Sequence, residues 1–145
     1  MYCRNCGKQL PDGTRFCSQC GTTQATARDR EPKPSVGFFD AIKLYFTHYA
    51  DFSTRSRRSE YWWAVMAMSI IGTIISGVVP DFAWIWSLAT LIPSIAIAVR
   101  RLHDIGKGGA WYLLNLIPVV GSIILLVWFC KDSTDDNQWG PNPKY

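Results

Sequence analysis

The chain has 145 residues and a formal net charge of +4, with 48% hydrophobic and 18% charged residues. The charge is unevenly placed: residues 1–60 hold 10 of the 15 Lys and Arg, and beyond Glu60 lie uncharged runs of 20, 18 and 23 residues. Runs of that length exclude an ordinary soluble single-core domain and a disordered chain, and with about 60 residues committed to lipid they leave little chain for a catalytic fold.

Four of the five cysteines fall in the first 20 residues, as Cys3-Arg-Asn-Cys6 and Cys17-Ser-Gln-Cys20. A Cys-x-x-Cys turn aims two sulfurs at one point, and two such turns make a tetrahedral thiolate cage for one structural zinc ion. Gly7 and Gly21 follow the second cysteine of each pair and allow the backbone to turn back towards the sulfurs. Gln9–Phe16 reads as a short hairpin turning at Pro11-Asp12-Gly13. Residues 1–22 are too few for a core, so the metal would supply the folding free energy. No apolar signal segment precedes the ribbon, and zinc-held thiolates suit a reducing cytosol better than two disulfides in an exported chain. Cys130 stands alone at the end of the last apolar run and reads as a small hydrophobe.

Residues 23–36 carry two prolines, alternating charges and no hydrophobic period, the pattern of a flexible linker. The helical membrane domain then spans 37–145. It opens with apolar residues at 38, 39, 42, 45, 46 and 49, one stripe of an amphipathic helix that either lies in the membrane interface or packs on the bundle. Spans are expected over 61–79, 82–99 and 110–130, with Trp and Tyr at their starts. The fold class is therefore a small zinc ribbon plus an all-α membrane bundle of three transmembrane helices. Pro118 and Gly121 leave one alternative for the last segment, a re-entrant hairpin that would return the C-terminus to its starting side.

Arg55, Arg57 and Arg58 flank the first span, and Arg100, Arg101 and Lys107 lie between the second and third. The positive-inside rule puts them, and the N-terminus, in the cytoplasm. Arg55, Arg58, Glu60, Arg100, Arg101, His103 and Asp104 then share one rim. They read either as a site for anionic lipid or a phosphorylated ligand, or as ion pairs locking the helix ends.

The string Phe52-Ser-Thr-Arg-Ser-Arg-Arg-Ser-Glu-Tyr-Trp-Trp63, the string Arg100-Arg-Leu-His-Asp-Ile-Gly-Lys107 and the tail Asn137-Gln-Trp-Gly-Pro-Asn-Pro143 together resemble the bacterial inner-membrane family called domain of unknown function 805. The likeness covers about residues 38–143 and departs at Thr54 and Asp136, where the family usually has Gly, and at Trp139, often Tyr. It implies a multi-pass protein of the bacterial inner membrane and carries no reaction with it. The ribbon resembles those placed at the front of varied bacterial membrane proteins.

The expectation is a non-enzymatic, membrane-anchored adaptor whose ribbon meets a protein partner through Tyr2, Leu10 and Phe16. The alternatives are a transport or channel component acting as a homo-oligomer and, more weakly, an enzyme on a lipid-like substrate using His103-Asp104. Nucleic acid is a poor fit, with only Arg4, Lys8 and Arg15 as bases in the ribbon. No Asp, Glu, Lys, Arg or His lies inside an expected span, which argues against a proton or ion relay.

Overall fold

The structure, a computed structural model, describes residues 2, 3, 5–11, 14–23 and 31–145. The expected Asp12-Gly13 turn and linker residues 24–30 lie outside the described residues. The rest of the ribbon is two self-closed knuckles. Gly7 and Gly21 adopt φ of 72° and 70° and return their N–H groups to the Cys3 and Cys17 carbonyls at 2.9 Å. One bridge pairs Tyr2 with Gln9 and a second pairs Phe16 with Thr23. Each bridge therefore closes over its own Cys-x-x-Cys turn, where the sequence suggested pairing across 9–16. Cys3, Leu10 and Cys17 form its small buried cluster.

The described remainder is helical: α1 (Phe38–Thr47), α2 (Arg58–Val78), α3 (Ala83–Asp104) and α4 (Val120–Cys130). α2 and α3 are antiparallel and joined by one 3-10 turn, Pro80–Phe82, in which proline takes the first position, where no N–H is needed. α2 has 21 residues and so measures about 31 Å, the thickness of a bilayer's hydrocarbon core. α2, and α3 with its leading turn, are long and apolar enough to cross a membrane, with mean hydropathies of 1.5 and 1.9.

α1 packs on α2 and α3 through Ala41 and Tyr45, both buried against Ala64, Ala67, Met68 and Ile97, while Phe39 and Phe46 on its outer side are exposed. The reason lies in Pro93, buried inside α3. Proline has no N–H for the Ala89 carbonyl and crowds the next turn. The Tyr49 hydroxyl donates to the Ala89 carbonyl at 2.6 Å and the Tyr45 hydroxyl to the Thr90 carbonyl at 3.1 Å. Tyr49 thus satisfies the carbonyl that the proline frees, as lipid requires, and Tyr45, four residues earlier, braces the neighbouring one.

The third apolar run departs from the expected single span over 110–130. It is a 3-10 helix, Gly109–Leu116, then a sharp bend, then α4. Pro118 leads into Val119, whose φ of 63° is uncommon for a β-branched residue, and the Val120 N–H bonds back to the Pro118 carbonyl at 2.7 Å. The halves lie against each other. Trp111 meets Trp128 with ring centroids 5.6 Å apart, the Ser122 hydroxyl donates to Asn115 at 3.5 Å, and Gly121 sits so close to Leu114 that a Cβ would fall 1.7 Å from its carbonyl oxygen. Each half is about 16 Å long, half a hydrocarbon core. Leu125 and Phe129 seat α4 on Ala98, Leu102 and Ile105 of the α3 end.

Candidate functional site: a buried arginine–aspartate cluster and a four-cysteine metal centre

Where α2 begins and α3 ends, away from the turn that joins them, the rim residues face one another. Arg100 and Arg101 are 2% and 0% exposed, and Arg55, Glu60, His103 and Asp104 are also buried; of the expected set only Arg58 points outward, donating to the Cys130 carbonyl at 3.3 Å.

Asp104 is the centre. Its Oδ1 accepts from Arg55 Nη2 at 3.0 Å, and its Oδ2 accepts from Arg101 Nη1 and from the Ser133 hydroxyl at 2.6 Å. Its carbonyl accepts from the Thr134 N–H and hydroxyl at 3.0 and 2.9 Å. Arg55 enters from the loop before α2 and spends its remaining donors on the tail, reaching the carbonyls of Thr134 (2.7 Å), Asp135 (3.0 Å) and Gly140 (2.9 Å). Burial pulls the Arg55 guanidinium below its ordinary pKa, and the Asp104 carboxylate opposes that shift. Arg101 holds the carbonyls of Phe129, at 3.2 Å, and Lys131, so it ties the end of α4 to α3.

Beyond α4 the tail forms no helix, and hydrogen bonds tie it to the cluster. Asn137 donates from Nδ2 to the His103 carbonyl at 2.8 Å, and Asn142, 4% exposed, accepts the Lys144 N–H at 3.0 Å. Trp139 stacks on the His103 ring at 4.4 Å and 9°. The other face of the site holds His103 Nδ1, which donates to the Thr54 carbonyl at 3.3 Å. Ahead of it, Asp51 accepts from the N–H and hydroxyl of Ser53 and Thr54; partial burial raises its pKa, but these bonds hold the carboxyl well below the usual range. His103-Asp104 is thus no imidazole–carboxylate pair: the ring bonds to a carbonyl and the carboxylate to two arginines.

Arg100 is different. Glu60 lies 3.6 Å from its Nη1, while its Nε and Nη2 and the Ser56 hydroxyl are buried with no hydrogen-bond partner. Sequence reasoning missed Ser56, Ser133 and Thr134, because their contacts are with residues distant in the chain: the Ser56 N–H with the Arg100 carbonyl, the Ser133 hydroxyl with Asp104, and the Thr134 carbonyl with Arg55.

In the ribbon the four sulfurs lie within 4.8 Å of one another, with Cys3–Cys20 at 3.5 Å and Cys6–Cys17 at 3.6 Å. Zinc bound tetrahedrally at about 2.3 Å would set sulfurs about 3.8 Å apart, so the donor set fits that ion. Hydrogen bonds from Thr22, first its hydroxyl and then its N–H, bring the Cys20 thiol down to about 6. The Lys8 N–H favours a thiolate at Cys6, but burial and the neighbouring sulfurs outweigh it and push Cys6 up to about 12. Four sulfurs this close cannot all ionise without a cation among them.

Residues 49–141 match the family described as Protein of unknown function (DUF805), a stretch that runs from before Arg55 to just past Gly140 and so contains the whole cluster. The chain belongs to the DUF805 family. Residues 2–23 match the zinc-ribbon domain. Inner membrane protein YhaI of Escherichia coli (strain K12) is 40% identical over 106 residues, covering 68% of this chain and 90% of that protein. Inner membrane protein YhaH of the same strain is 34% identical over 110 residues, covering 67% and 90%. No solved structure matches. Within the DUF805 region the Arg-Arg-Leu-His-Asp string and the Asn-Gln-Trp-Gly-Pro-Asn tail, 33 residues apart, meet in one site: the string supplies the acid, and the tail the groups that close over it.

Proposed function

We propose that this protein is a membrane-anchored adaptor of the bacterial inner membrane, with a cytosolic ribbon built on one structural zinc ion held by Cys3, Cys6, Cys17 and Cys20. The observation that carries the reading is the inward turn of the rim charges. Arg55, Arg101 and Asp104 are consumed in tying α3, the end of α4 and the tail together, which leaves the ribbon as the recruiting surface. Exposed Phe16 and Tyr2 give it apolar anchors for a protein partner. In this reading the rim residues Arg55, Glu60, Arg100, Arg101, His103 and Asp104 act as a latch, and Arg58 alone meets lipid phosphate.

The topology we propose is two spans, α2 and α3, and a re-entrant hairpin, with both termini in the cytoplasm. It rests on Lys131 and Thr134 lying beside Arg101 and Asp104, at the arginine-rich end. A reporter fused after Tyr145 should be active only as a cytosolic protein; activity only as a periplasmic one would overturn the hairpin.

The function is tested by affinity purification in mild detergent, comparing the wild type with Cys17→Ser/Cys20→Ser at equal membrane levels. A partner held by the wild type alone supports the adaptor. Identical partner lists remove it and turn attention to solute flux through an oligomer.

A further inference from the structure

Two cavities lie along the groove between α2, α3 and the hairpin, and they share Tyr61 and Tyr112. The larger, about 290 Å³, runs past Val65 and Ser69 to Trp86. The smaller, about 220 Å³, runs past Asn115 and Ser122 to Leu126. Val65, Met68, Ile97, Leu125 and Phe129 supply much of the wall, and among the described residues no charged side chain lines either cavity.

The polar groups in the groove fall into two kinds. Tyr45 and Ser94 bond each other at 2.8 Å, and Thr90 donates to the Trp86 carbonyl at 2.8 Å, so these are engaged. The hydroxyls of Tyr61, Tyr112 and Ser69 and the Trp86 indole N–H have no hydrogen-bond partner among the described residues. In hydrocarbon an unmet donor is costly, and elsewhere this bundle meets even the Ala89 carbonyl freed by Pro93. The unmet donors are also ordered in depth. Tyr61 is in the first turn of α2 at the arginine-rich end, Tyr112 is in the first turn of the 3-10 helix, and Trp86 is in the first turn of α3 at the opposite end.

We propose that this groove binds an uncharged lipid bearing oxygen acceptors. Its carbonyl or hydroxyl oxygens accept hydrogen bonds from Tyr61 and Tyr112, and its chain lies along Val65 and Met68 towards Trp86. A phosphate head group would call for a cation in the groove, and the adjacent Arg101 is spent on Asp104 and on the Phe129 and Lys131 carbonyls. An acylglycerol ester and a membrane quinone present the same neutral acceptor beside an apolar chain.

The test uses the full chain purified in detergent and two photoreactive probes, a diazirine diacylglycerol and a diazirine benzoquinone with an alkyl tail, with labelled peptides mapped by mass spectrometry. Saturable labelling within residues 61–69 and 112–126, competed by the same unlabelled lipid, is expected for one of them, and that one identifies the source. Tyr61→Phe and Tyr112→Phe should each raise the half-saturating concentration about fivefold, the weight of one neutral hydrogen bond. Ser69→Phe, which fills the groove, should abolish site labelling. If that variant does not fold, the two Tyr→Phe variants and the wild-type peptide map still decide. Unsaturable labelling spread over outer-face residues such as Ile70, Ile74 and Leu88, unchanged by Tyr112→Phe, would overturn the proposal. So would stronger competition by phosphatidic acid than by either neutral lipid.

Discussion

Asp104→Asn keeps the shape of the central side chain and removes its charge. The side chains of Arg55 and Arg101 are 3% and 0% exposed, and this one carboxylate pairs with both. Taking one partner from a buried ion pair costs about 3–5 kcal/mol, chiefly because the other charge stays buried and unpaired. An amide cannot repair the loss. Arg55 donates to Oδ1, and Arg101 and Ser133 donate to Oδ2, so either orientation of Asn turns an NH₂ towards a donor. For a domain of this size 1 kcal/mol moves the melting midpoint by roughly 3–5 °C, so a fall on the order of 15 °C is expected. Tryptophan-fluorescence melting in detergent measures it, and hydrogen exchange reports the latch directly: the Thr134 amide, which bonds the Asp104 carbonyl at 3.0 Å, should lose protection. Adding Arg101→Met should recover part of the loss, through a coupling of about 0.5–3 kcal/mol. A variant melting within about 2 °C of the wild type, with the Thr134 amide still protected, would refute the buried-charge account.

Gly121→Ala should destabilise the hairpin by about 3 kcal/mol or more, since its Cβ would fall 1.7 Å from the Leu114 carbonyl; thermal melting reads it. Val119→Gly should do the opposite, by about 1 kcal/mol, because it relieves a φ of 63°. Tyr49→Phe removes the donor to the Ala89 carbonyl beside Pro93 and should cost about 1–3 kcal/mol in the same assay. The Asp51 carboxyl is held below its ordinary value, so its folded pKa lies under the unfolded one. Its stabilising share is full above about pH 3.9 and is lost as pH falls through the folded value, and the carboxyl chemical shift of Asp51 should still hold its ionised value at about pH 3. Metal analysis should find one zinc per chain, and a chelator that strips it should unfold the ribbon and leave the helical signal of α1 to α4 intact.

The ribbon was legible because ligand type and spacing define it: four cysteines and two glycines set the knuckles, and nothing remote is needed. α2 and α3 were legible from uncharged length alone. The third run was not, because hydropathy measures transfer to lipid and does not report direction. Pro118 and Gly121 marked a weak point, but what turns the chain is the approach of Gly121 to Leu114 and the meeting of Trp111 with Trp128, contacts between residues 7 and 17 positions apart. The rim charges lie together in the structure, yet composition could not show that most of them face inward. That depends on the tail, whose carbonyls at Thr134, Asp135 and Gly140 are what Arg55 binds. Residues 131–143 carry little hydrophobic signal, and their order comes from arginines that lie about 30 to 80 residues earlier.

One rule connects these features. Irregular backbone at or below a membrane surface must find partners inside the protein. Pro93 frees the Ala89 carbonyl and Tyr49 meets it, while Tyr45 adds a bond to the Thr90 carbonyl beside it. The chain leaves α4 through Phe129 and Lys131, and Arg101 meets both carbonyls. The tail then runs without a helix, and Arg55 and Asp104 meet its groups. Against that consistent satisfaction the unmatched donors carry information. Arg100 Nε and Nη2 and the Ser56 hydroxyl are unmatched within the sealed cluster, where buried water can serve them. Tyr61 and Tyr112 are unmatched along an open groove within the bundle, where the available acceptors belong to lipid. A protein that caps every carbonyl its proline exposes and still leaves two phenols unmatched side by side is shaped to receive an oxygen-bearing molecule at that point.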